Sequence, residues 1–372
     1  MIMRGNNVMG IIFSNLHENL ISQLTELRTM GAVPFGGRYR LIDFPLSNMV
    51  NSGINKVGVI AKNNYQSLID HLGAGKAWDL SRQRNGLFIL PPFMDPSDYS
   101  NRVKTFNAIM PFLKNSTEEY VMISDCDVIC NIDYQDVFEK HLENNADITL
   151  IYKRDVLPAK LQEPTVLSFD AKGRVNDVLV APSITGSCSF YMNMMLIKRE
   201  LLMELVKKCI GKNTMSFKRD IIQAEYKELN VYGYEFKGFA PVITTMAEYF
   251  TANMSLKSKE VRDDLFNGAR PIYTKIRDDM PTKFGLGSKV SNSLIGSGCT
   301  IEGEVDNCVL FKGVHIGKGT KVSNCVIMQD TRVGDNCNMC YVVVDKDVII
   351  RDGKTLAGQP SYPVYIGKLS VV

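Results

Sequence analysis

Two carboxylates stand where an α/β sheet would hold a ligand. Asp125 and Asp127 follow the apolar segment Tyr120–Ser124, which has the pattern of a buried strand. Open α/β sheets bind ligands at the carboxyl ends of their strands, and carboxylates are typical ligands of Mg²⁺. The pair is therefore either the remnant of a metal site or a solvated or capping acidic turn.

The four histidines offer little other chemistry. They are His17, His71, His141 and His315, and no Ser–His–Asp or His-x-x-x-His arrangement connects them. His315 lies within a six-residue repeat, where hexapeptide acyltransferases use a histidine. The alternative is a surface histidine beside a turn.

The nine cysteines are odd in number and scattered along the chain. Cys337 and Cys340 form a C-x-x-C pair, but no second pair stands at zinc-ribbon spacing. We expect buried free thiols rather than a metal or redox site.

Length and charge narrow the class of protein. The 372 residues, 45% of them apolar, can build two domains with sizeable cores. Net charge is +3, and no basic block occurs, so a nucleic-acid partner is not expected. No segment reaches the ~20 apolar residues that cross a bilayer, and Val8–Phe13 is too short for a signal-peptide core. We therefore expect a cytoplasmic protein without membrane contact.

Short strands alternate with helices in the first two thirds of the chain. The apolar pattern predicts strands at Val8–Phe13, Lys56–Ala61, Tyr120–Ser124 and Ala146–Tyr152. It predicts helices at Tyr134–Leu142, with Val137, Phe138 and Leu142 on one face, and at Lys198–Lys208, with Leu201, Leu202, Leu205 and Val206. Strands separated by helices favour a mostly parallel α/β sheet.

A six-residue rhythm replaces this pattern after about Pro281. Apolar residues recur six apart, as in Ile295 and Ile301, Ile316 and Val322, and Ile327, Val333 and Met339. This is the pattern of a parallel β-helix, whose tight corners suit glycine; an antiparallel sheet domain is the alternative. We predict an α/β domain over residues 1–254, a linker over 255–284 and a β-helix over 285–372.

Five stretches, in one order along nearly the whole chain, carry a family resemblance. They are Ala32–Ile54 (A-V-P-F-G-G-R-Y-R-L-I-D-F-P-L-S-N-M-V-N-S-G-I), His71–Leu80, Pro271–Lys275, Val326–Asp330 and Val344–Gly353. In them the chain resembles the ADP-glucose pyrophosphorylase (glucose-1-phosphate adenylyltransferase) family, and within it the GlgD-type regulatory subunits of Firmicutes. The resemblance implies a nucleotidyltransferase-like (Rossmann-like) α/β domain followed by a left-handed β-helix.

The glycine-rich loop of that family is missing. Such a loop cradles the triphosphate of ATP with its N–H groups. The matching segment, Asn15–Ile21, has no glycine, carries Leu20 at the arginine position and places the acidic Glu18 where phosphate would approach. Leu16, Leu20, Leu24 and Leu27 are spaced as on a helix, so a helix or packed segment is expected there.

The metal site implied by the resemblance is also broken. Asp127 matches one family aspartate, in C-D-V-I-C, but the stretch Gly238–Thr245 has Val242 at the second aspartate and Pro241 at the arginine. We therefore favour the solvated or capping acidic turn and regard Asp127 as a vestigial catalytic residue. No catalytic residue, metal site or cofactor is expected in this chain, and Mg²⁺ is required only by a catalytic partner.

The sugar-phosphate site lacks its cation. Val180, Ala181 and Pro182 replace the family's Glu-Lys-Pro, and Asn101–Thr105 (N-R-V-K-T) replaces its Gly-Thr-Ala-Asp-Ala. Four elements of the chemistry are thus altered while the fold pattern is retained.

Some cations remain where the resembled family binds phosphorylated effectors. They are Arg28, Arg40, Lys346 and Lys368. Each is either an allosteric residue or an ordinary surface charge or salt-bridge partner.

Three functions compete. The favoured one is a catalytically degenerate regulatory subunit that forms a heterotetramer with a homologous catalytic ADP-glucose pyrophosphorylase and responds to a phosphorylated sugar. The alternatives are a diverged but active sugar-nucleotide transferase that uses glucose 1-phosphate and ATP, and a hexapeptide acyltransferase for which only His315 speaks.

Overall fold

The computed structural model describes residues 7–16, 18–82, 85–91, 99, 101–158, 160–161, 163–184, 186–276 and 278–372. Nine strands of the first part of the chain form one sheet in the order β11-β7-β10-β6-β1-β4-β5, with β8 beside β10 and β9 beside β8. They are β1 (Val8–Phe13), β4 (Lys56–Ile60), β5 (Gly86–Leu90), β6 (Tyr120–Asp125), β7 (Ile148–Val156), β8 (Thr165–Phe169), β9 (Val175–Val180), β10 (Ser187–Lys198) and β11 (Val231–Glu235). A separate pair joins β2 (Pro34–Phe35) and β3 (Tyr39–Arg40).

The sheet is parallel on one side and mixed on the other. β6, β1, β4 and β5 are parallel neighbours, whereas β10 runs antiparallel to both β6 and β7. All four predicted strands are confirmed, with Val8–Phe13 unchanged in its bounds and the fourth shifted to Ile148–Val156. The pattern did not predict β10, whose register shifts between Tyr191 and Met194.

Helices cover the sheet. They are α1 (Ser22–Thr25), α2 (Asp43–Asn51), α3 (Gln66–Leu72), α4 (Arg102–Ala108), α5 (Met110–Lys114), α6 (Tyr134–Glu143), α7 (Arg199–Gly211), α8 (Met246–Ser255) and α9 (Lys259–Leu265), with a π-helix at Phe217–Gln223 and 3₁₀ turns at Glu18–Ile21, Met30–Ala32 and Lys76–Trp78. Both predicted helices are confirmed. On α6, however, His141 is buried and Leu142 is partly exposed, because the inner face follows Val137, Phe138 and His141.

The second part of the chain is a left-handed parallel β-helix of three five-stranded parallel sheets. The strands of the first sheet are β12 (Lys283–Phe284), β15 (Thr300–Ile301), β18 (His315–Ile316), β21 (Arg332–Val333) and β24 (Ile349–Ile350). The second has β13 (Lys289–Ser291), β16 (Glu304–Asp306), β19 (Lys321–Ser323), β22 (Asn338–Cys340) and β25 (Thr355–Ala357). The third has β14 (Leu294–Ile295), β17 (Val309–Leu310), β20 (Val326–Ile327), β23 (Val342–Val344) and β26 (Val364–Ile366).

The six-residue rhythm marks the residues that fill the β-helix. Ile301, Ile316, Val333 and Ile350 stack in register inside the coils and are buried. The expectation of glycine at the corners is only partly correct, since Asn292, Asn307 and Asn324 also adopt positive φ. Asparagine tolerates this conformation because its short amide finds local hydrogen bonds, here from one corner amide to the next.

One apolar core continues from the α/β domain into the β-helix. Phe311 and Met328 of the third sheet belong to the same buried cluster as Tyr249 and Phe250 of α8. The ring of Tyr341 lies 6.2 Å from that of Phe250. The two parts therefore share a hydrophobic interface rather than a flexible tether.

All nine cysteines are free thiols, and seven of them are buried, as expected from the sequence. Within the described ranges, no helix has the length and apolar character needed to cross a bilayer.

Candidate functional site

The carboxyl ends of β1 and β6 bring the predicted carboxylates into the interior. Asp125 is paired in register with Phe13, and Asp127 follows two residues later. Both aspartates are fully buried. The expectation that this turn is solvated is therefore wrong, because both residues lie inside the strand-end crevice, where a charge needs a partner.

Arg102 supplies that partner for Asp125. Helix α4 begins at Arg102, because the side chain of Asn101 accepts the N–H of Lys104 at 2.9 Å and caps the helix. The guanidinium forms an ion pair with the Asp125 carboxylate and lies 4.9 Å above the ring of Phe13. An aromatic face and a carboxylate together hold one buried cation.

A second cation enters the same crevice from the π-helix. Lys218 is buried, and its Nζ donates to the carbonyl of Glu163 at 2.9 Å. Burial lowers the pKa of Lys218 to about 8; Arg102 pushes it the same way, and Asp125 and Asp127 oppose the shift. The strand-end site thus contains two cations and two carboxylates of the chain itself.

Asp127 faces backbone and amide groups. Its carbonyl accepts the N–H of Ile243 at 2.8 Å, and an Oδ atom lies 3.5 Å from the Asn193 amide. Val242, at the position of the second family aspartate, pairs with Val128 and is buried. Among the described residues, no group of three or more His, Cys, Asp or Glu side chains is arranged to hold a metal ion. The residues do not fit Mg²⁺, because Val242 stands at the second family aspartate beside Asp127, and the neighbouring Asp125 is held by the guanidinium of Arg102.

The segment after β1 is helical, as its leucine spacing predicts. A 3₁₀ turn at Glu18–Ile21 leads into α1, and the hydroxyl of Thr25 ties the two by donating to the carbonyl of Glu18 at 2.7 Å. Ile21 and Leu24 are buried, but Leu27, predicted for the same face, is mostly exposed. His17 lies outside the described residues. A segment packed in this way lacks the glycines that let a loop close its backbone around a triphosphate.

Glu18 belongs to this segment and is not the simple repulsive charge that the sequence suggests. Burial raises the pKa of its carboxyl to about 7, against the opposing effects of a backbone hydrogen bond with Met30 and of Lys62. Glu18 is therefore partly protonated near neutral pH.

The four candidate effector residues come together where the two domains meet, but Arg28 is already engaged. Its Nη2 donates to both carboxylate oxygens of Asp345 at 2.9 Å, and both side chains are buried. The hydroxyl of Tyr365 lies 2.8 Å from the same carboxylate and 2.8 Å from the carbonyl of Gln23. Arg28 is thus the salt-bridge partner that the sequence left open as an alternative.

The other three cations lie around this ion pair. Arg40 donates to the Ser67 hydroxyl at 2.8 Å, and burial lowers its pKa to about 10, against an opposing effect of Asp43. Burial, followed by repulsion from Arg40, Arg28 and Lys368, lowers the pKa of Lys346 to about 7, and Asp345 opposes the shift. Mutual repulsion of this kind requires the four cations to be close neighbours.

His315 lies apart from both clusters. It is on β18, half-buried, between Thr300 and Arg332 on the adjacent strands. Neither neighbour is an acid or base that would complete a catalytic pair with the imidazole.

Sequence reasoning did not identify Arg102 and Lys218. Arg102 lies in the stretch Asn101–Thr105, whose change was noted only as a loss. The rule that a buried carboxylate needs a cation predicts that a partner exists, but the sequence does not say which of the 43 lysines and arginines it is.

Comparisons with known proteins agree with this architecture. A nucleotidyl transferase model matches residues 21–182, and a model described as "GlmU-like, C-terminal hexapeptide" matches residues 280–361. The chain is 38% identical over 370 residues to the glycogen biosynthesis protein GlgD of Bacillus subtilis (strain 168), covering 98% of this chain and 97% of the relative. It is 36% identical to the protein of the same name from Geobacillus stearothermophilus, over 85% of this chain and 83% of the relative. It is 32% identical to a glucose-1-phosphate adenylyltransferase of Pseudothermotoga lettingae, over 98% of this chain and 89% of the relative.

Proposed function

This chain belongs to the glucose-1-phosphate adenylyltransferase family, which includes the GlgD proteins, and we propose that it is a non-catalytic regulatory subunit of that family. Its partner is a homologous catalytic subunit, its process is glycogen biosynthesis, and the assembly is a heterotetramer. The relatives' names support the process. The state of the strand-end site supports the lack of catalysis.

The ion pair between Arg102 and Asp125 is the observation that carries the proposal. A Mg²⁺ ion held by Asp127 together with the neighbouring Asp125 would have to displace a buried guanidinium that also stacks on Phe13. With the guanidinium in place, the ion would meet a like charge in a site of low dielectric constant. The helical segment Glu18–Thr25 adds a second obstacle, because it packs Ile21 and Leu24 into the core instead of forming an open glycine-rich loop.

The cations between the domains support the regulatory half of the proposal. Arg28 pairs with Asp345, and Arg40 lies near Asp43 and Asp70, so four cations face three carboxylates in this cluster. A phosphorylated sugar would relieve this repulsion and form charge-assisted hydrogen bonds. Arg28 then acts indirectly, by holding the β-helix against the α/β domain through Asp345.

Activity measurements test the proposal. The chain alone should form no ADP-glucose from ATP and glucose 1-phosphate, and it should change the rate or effector response of its catalytic homologue when the two are mixed. A coupling of about 1–3 kcal/mol would shift an effector affinity roughly 5–150-fold. Turnover by the chain alone near ~10 s⁻¹ contradicts the first half of the proposal. Identical kinetics with and without the chain, together with separate elution in size-exclusion chromatography, contradict the second half.

A further inference from the structure

Arg40 is held in one orientation between the domains and still keeps donors for a ligand. Its side chain is half-buried, and its Nη1 donates to the hydroxyl of Ser67 at 2.8 Å and to the carbonyl oxygen of the same residue. Among the residues that the structure describes, none accepts a hydrogen bond from its Nε or Nη2. These two nitrogens form one edge of the planar guanidinium, and such an edge fits two oxygens of one phosphate group.

The main chain of Arg40 is fixed by Asp43. This aspartate is the first residue of α2, and its Oδ2 accepts the N–H of Arg40 at 2.9 Å. The carboxylate is 0% exposed, so it holds Arg40 from inside the protein and cannot itself contact a ligand. A carboxylate buried to this degree needs further donors.

His71 provides the second donor to this carboxylate. Its Nε2 lies 2.5 Å from Asp43 Oδ1, and because a carboxylate only accepts hydrogen bonds, this nitrogen carries the proton. The imidazole is buried and packs edge-on against the indole of Trp78, with the ring centroids 5.8 Å apart. Both the tautomer and the orientation of His71 are therefore set by its surroundings.

Helix α3 brings these contacts together. Ser67 and His71 are four residues apart on α3 and lie on the same face of the helix. Ser67 holds the guanidinium of Arg40, while His71 acts through Asp43 on its main chain. One helix thus fixes both ends of a long, flexible side chain. It also gives a role to the stretch that begins at His71, which the proposed function leaves without one.

We propose that Asp43 and His71 are positioning residues, which orient Arg40 so that its Nε–Nη2 edge receives a phosphate group between the domains. The inference rests on the proposed function, because it concerns the same anion site. After burial, repulsion from Arg40 is the largest contribution to lowering the pKa of Lys346 to about 7, so the two cations are close neighbours. A guanidinium that is already fixed loses less side-chain freedom when the anion binds.

Calorimetric titration of inorganic phosphate into the whole chain measures the affinity. His71→Leu should raise the Kd about threefold to tenfold, because Arg40 must then be ordered by the anion itself. His141→Leu is the matched control. His141 is also buried, and its Nδ1 lies 2.8 Å from the Thr149 hydroxyl, but its helix α6 packs against β7, β10 and β11. The control should bind phosphate as the wild type does.

Two further variants separate positioning from folding. His71→Gln retains a side-chain N–H that can reach Asp43, so it should recover most of the affinity lost in His71→Leu. Ser67→Ala removes only one hydroxyl from a half-buried position on α3. It should leave the midpoint of thermal unfolding unchanged without phosphate and still raise the Kd about twofold to threefold.

Three results would overturn the inference while leaving the proposed anion site in place. The first is wild-type phosphate affinity in both His71→Leu and Ser67→Ala. The second is a His71→Gln protein that binds no better than His71→Leu. The third is an equal loss of affinity in His141→Leu. If the wild type binds no phosphate, or binds it as well after Lys346→Met, the anion site itself is absent and both proposals fail.

Discussion

Two buried clusters in this molecule are built on the same motif, an arginine facing an aspartate. They differ in the balance between cations and carboxylates. At the strand ends, Arg102 and Lys218 face Asp125 and Asp127, so cations and carboxylates are equal in number. Between the domains, the pair of Arg28 and Asp345 is surrounded by further cations. The first cluster is complete without a ligand, whereas the second retains positive charge that an anion can neutralise. On the function proposed above, the strand-end site loses its chemistry by acquiring its own counter-ion.

The largest expected effect comes from breaking the pair between the domains. Asp345→Ala removes the partner of Arg28 and of the Tyr365 hydroxyl, and it leaves a buried guanidinium unpaired. We expect a loss of about 3–5 kcal/mol in the free energy of unfolding, measured by urea denaturation. Arg82→Ala, which breaks the exposed pair with Asp79, is the control and should cost less than about 1 kcal/mol. Equal losses for the two variants would show that burial does not set the strength of the pair between the domains.

Asp125→Asn should cost less than Asp345→Ala, although Asp125 is equally buried. Lys218, with a pKa of about 8, can release its proton when a neighbouring carboxylate is lost, and this relieves part of the penalty for Arg102. We expect a loss of about 2–4 kcal/mol at pH 7. The double variant Arg102→Met, Asp125→Asn should recover part of that loss, as a double-mutant cycle on thermal unfolding would show. Strictly additive losses would contradict the pairing.

We expect the smallest effect from replacing Lys346, and we expect it in the pH dependence of the free energy of unfolding. Its pKa in the folded state is about 7, below the ordinary value of 10.5, so the unfolded chain binds more protons between these two values. Stability therefore rises with pH from about 7 upward, while below pH 7 the full cost of the buried charge remains. Lys346→Met should remove this rise, as seen in the difference between the unfolding free energies of variant and wild type at pH 7 and 9.

Adding inorganic phosphate tests whether the cluster between the domains binds an anion. Bound near Lys346, it would stabilise the charged amine, raise its pKa and move the rise to higher pH. Neither Lys346→Met nor Lys368→Ala should respond as the wild type does. If phosphate changes the pH dependence of stability equally in all three proteins, the cluster is not an anion site.

The sequence predicts the two architectures well because each has a short period. The inward residues of the β-helix recur every six positions, and the strands of the sheet are short apolar runs, so local pattern suffices. The corner residues were less predictable, because Asn307 and Asn324 take the positive φ expected of glycine.

The sequence shows which family residues are absent from the site, but it does not show which residues of this chain take their place. The changes in Asn15–Ile21 and at Val242 are visible in the letters alone. The burial of Asp125, and its pairing with Arg102, depend on how α4 docks over β1 and β6, which no local pattern encodes. The four cations between the domains were named from a family resemblance, and only the fold distinguishes Arg28, which is paired, from Lys346, which sits among like charges.

The ion pair between Arg28 and Asp345 joins residues 317 positions apart. The two partners are therefore synthesised at very different times. Arg28 leaves the ribosome among the first residues of the chain, whereas its partner Asp345 is synthesised only with the last coils of the β-helix. At ~5–20 residues per second, the wait is on the order of tens of seconds. Throughout that interval the α/β domain lacks the partner of a guanidinium that its mature core encloses, so we expect the first domain to finish folding only after the final coils are translated.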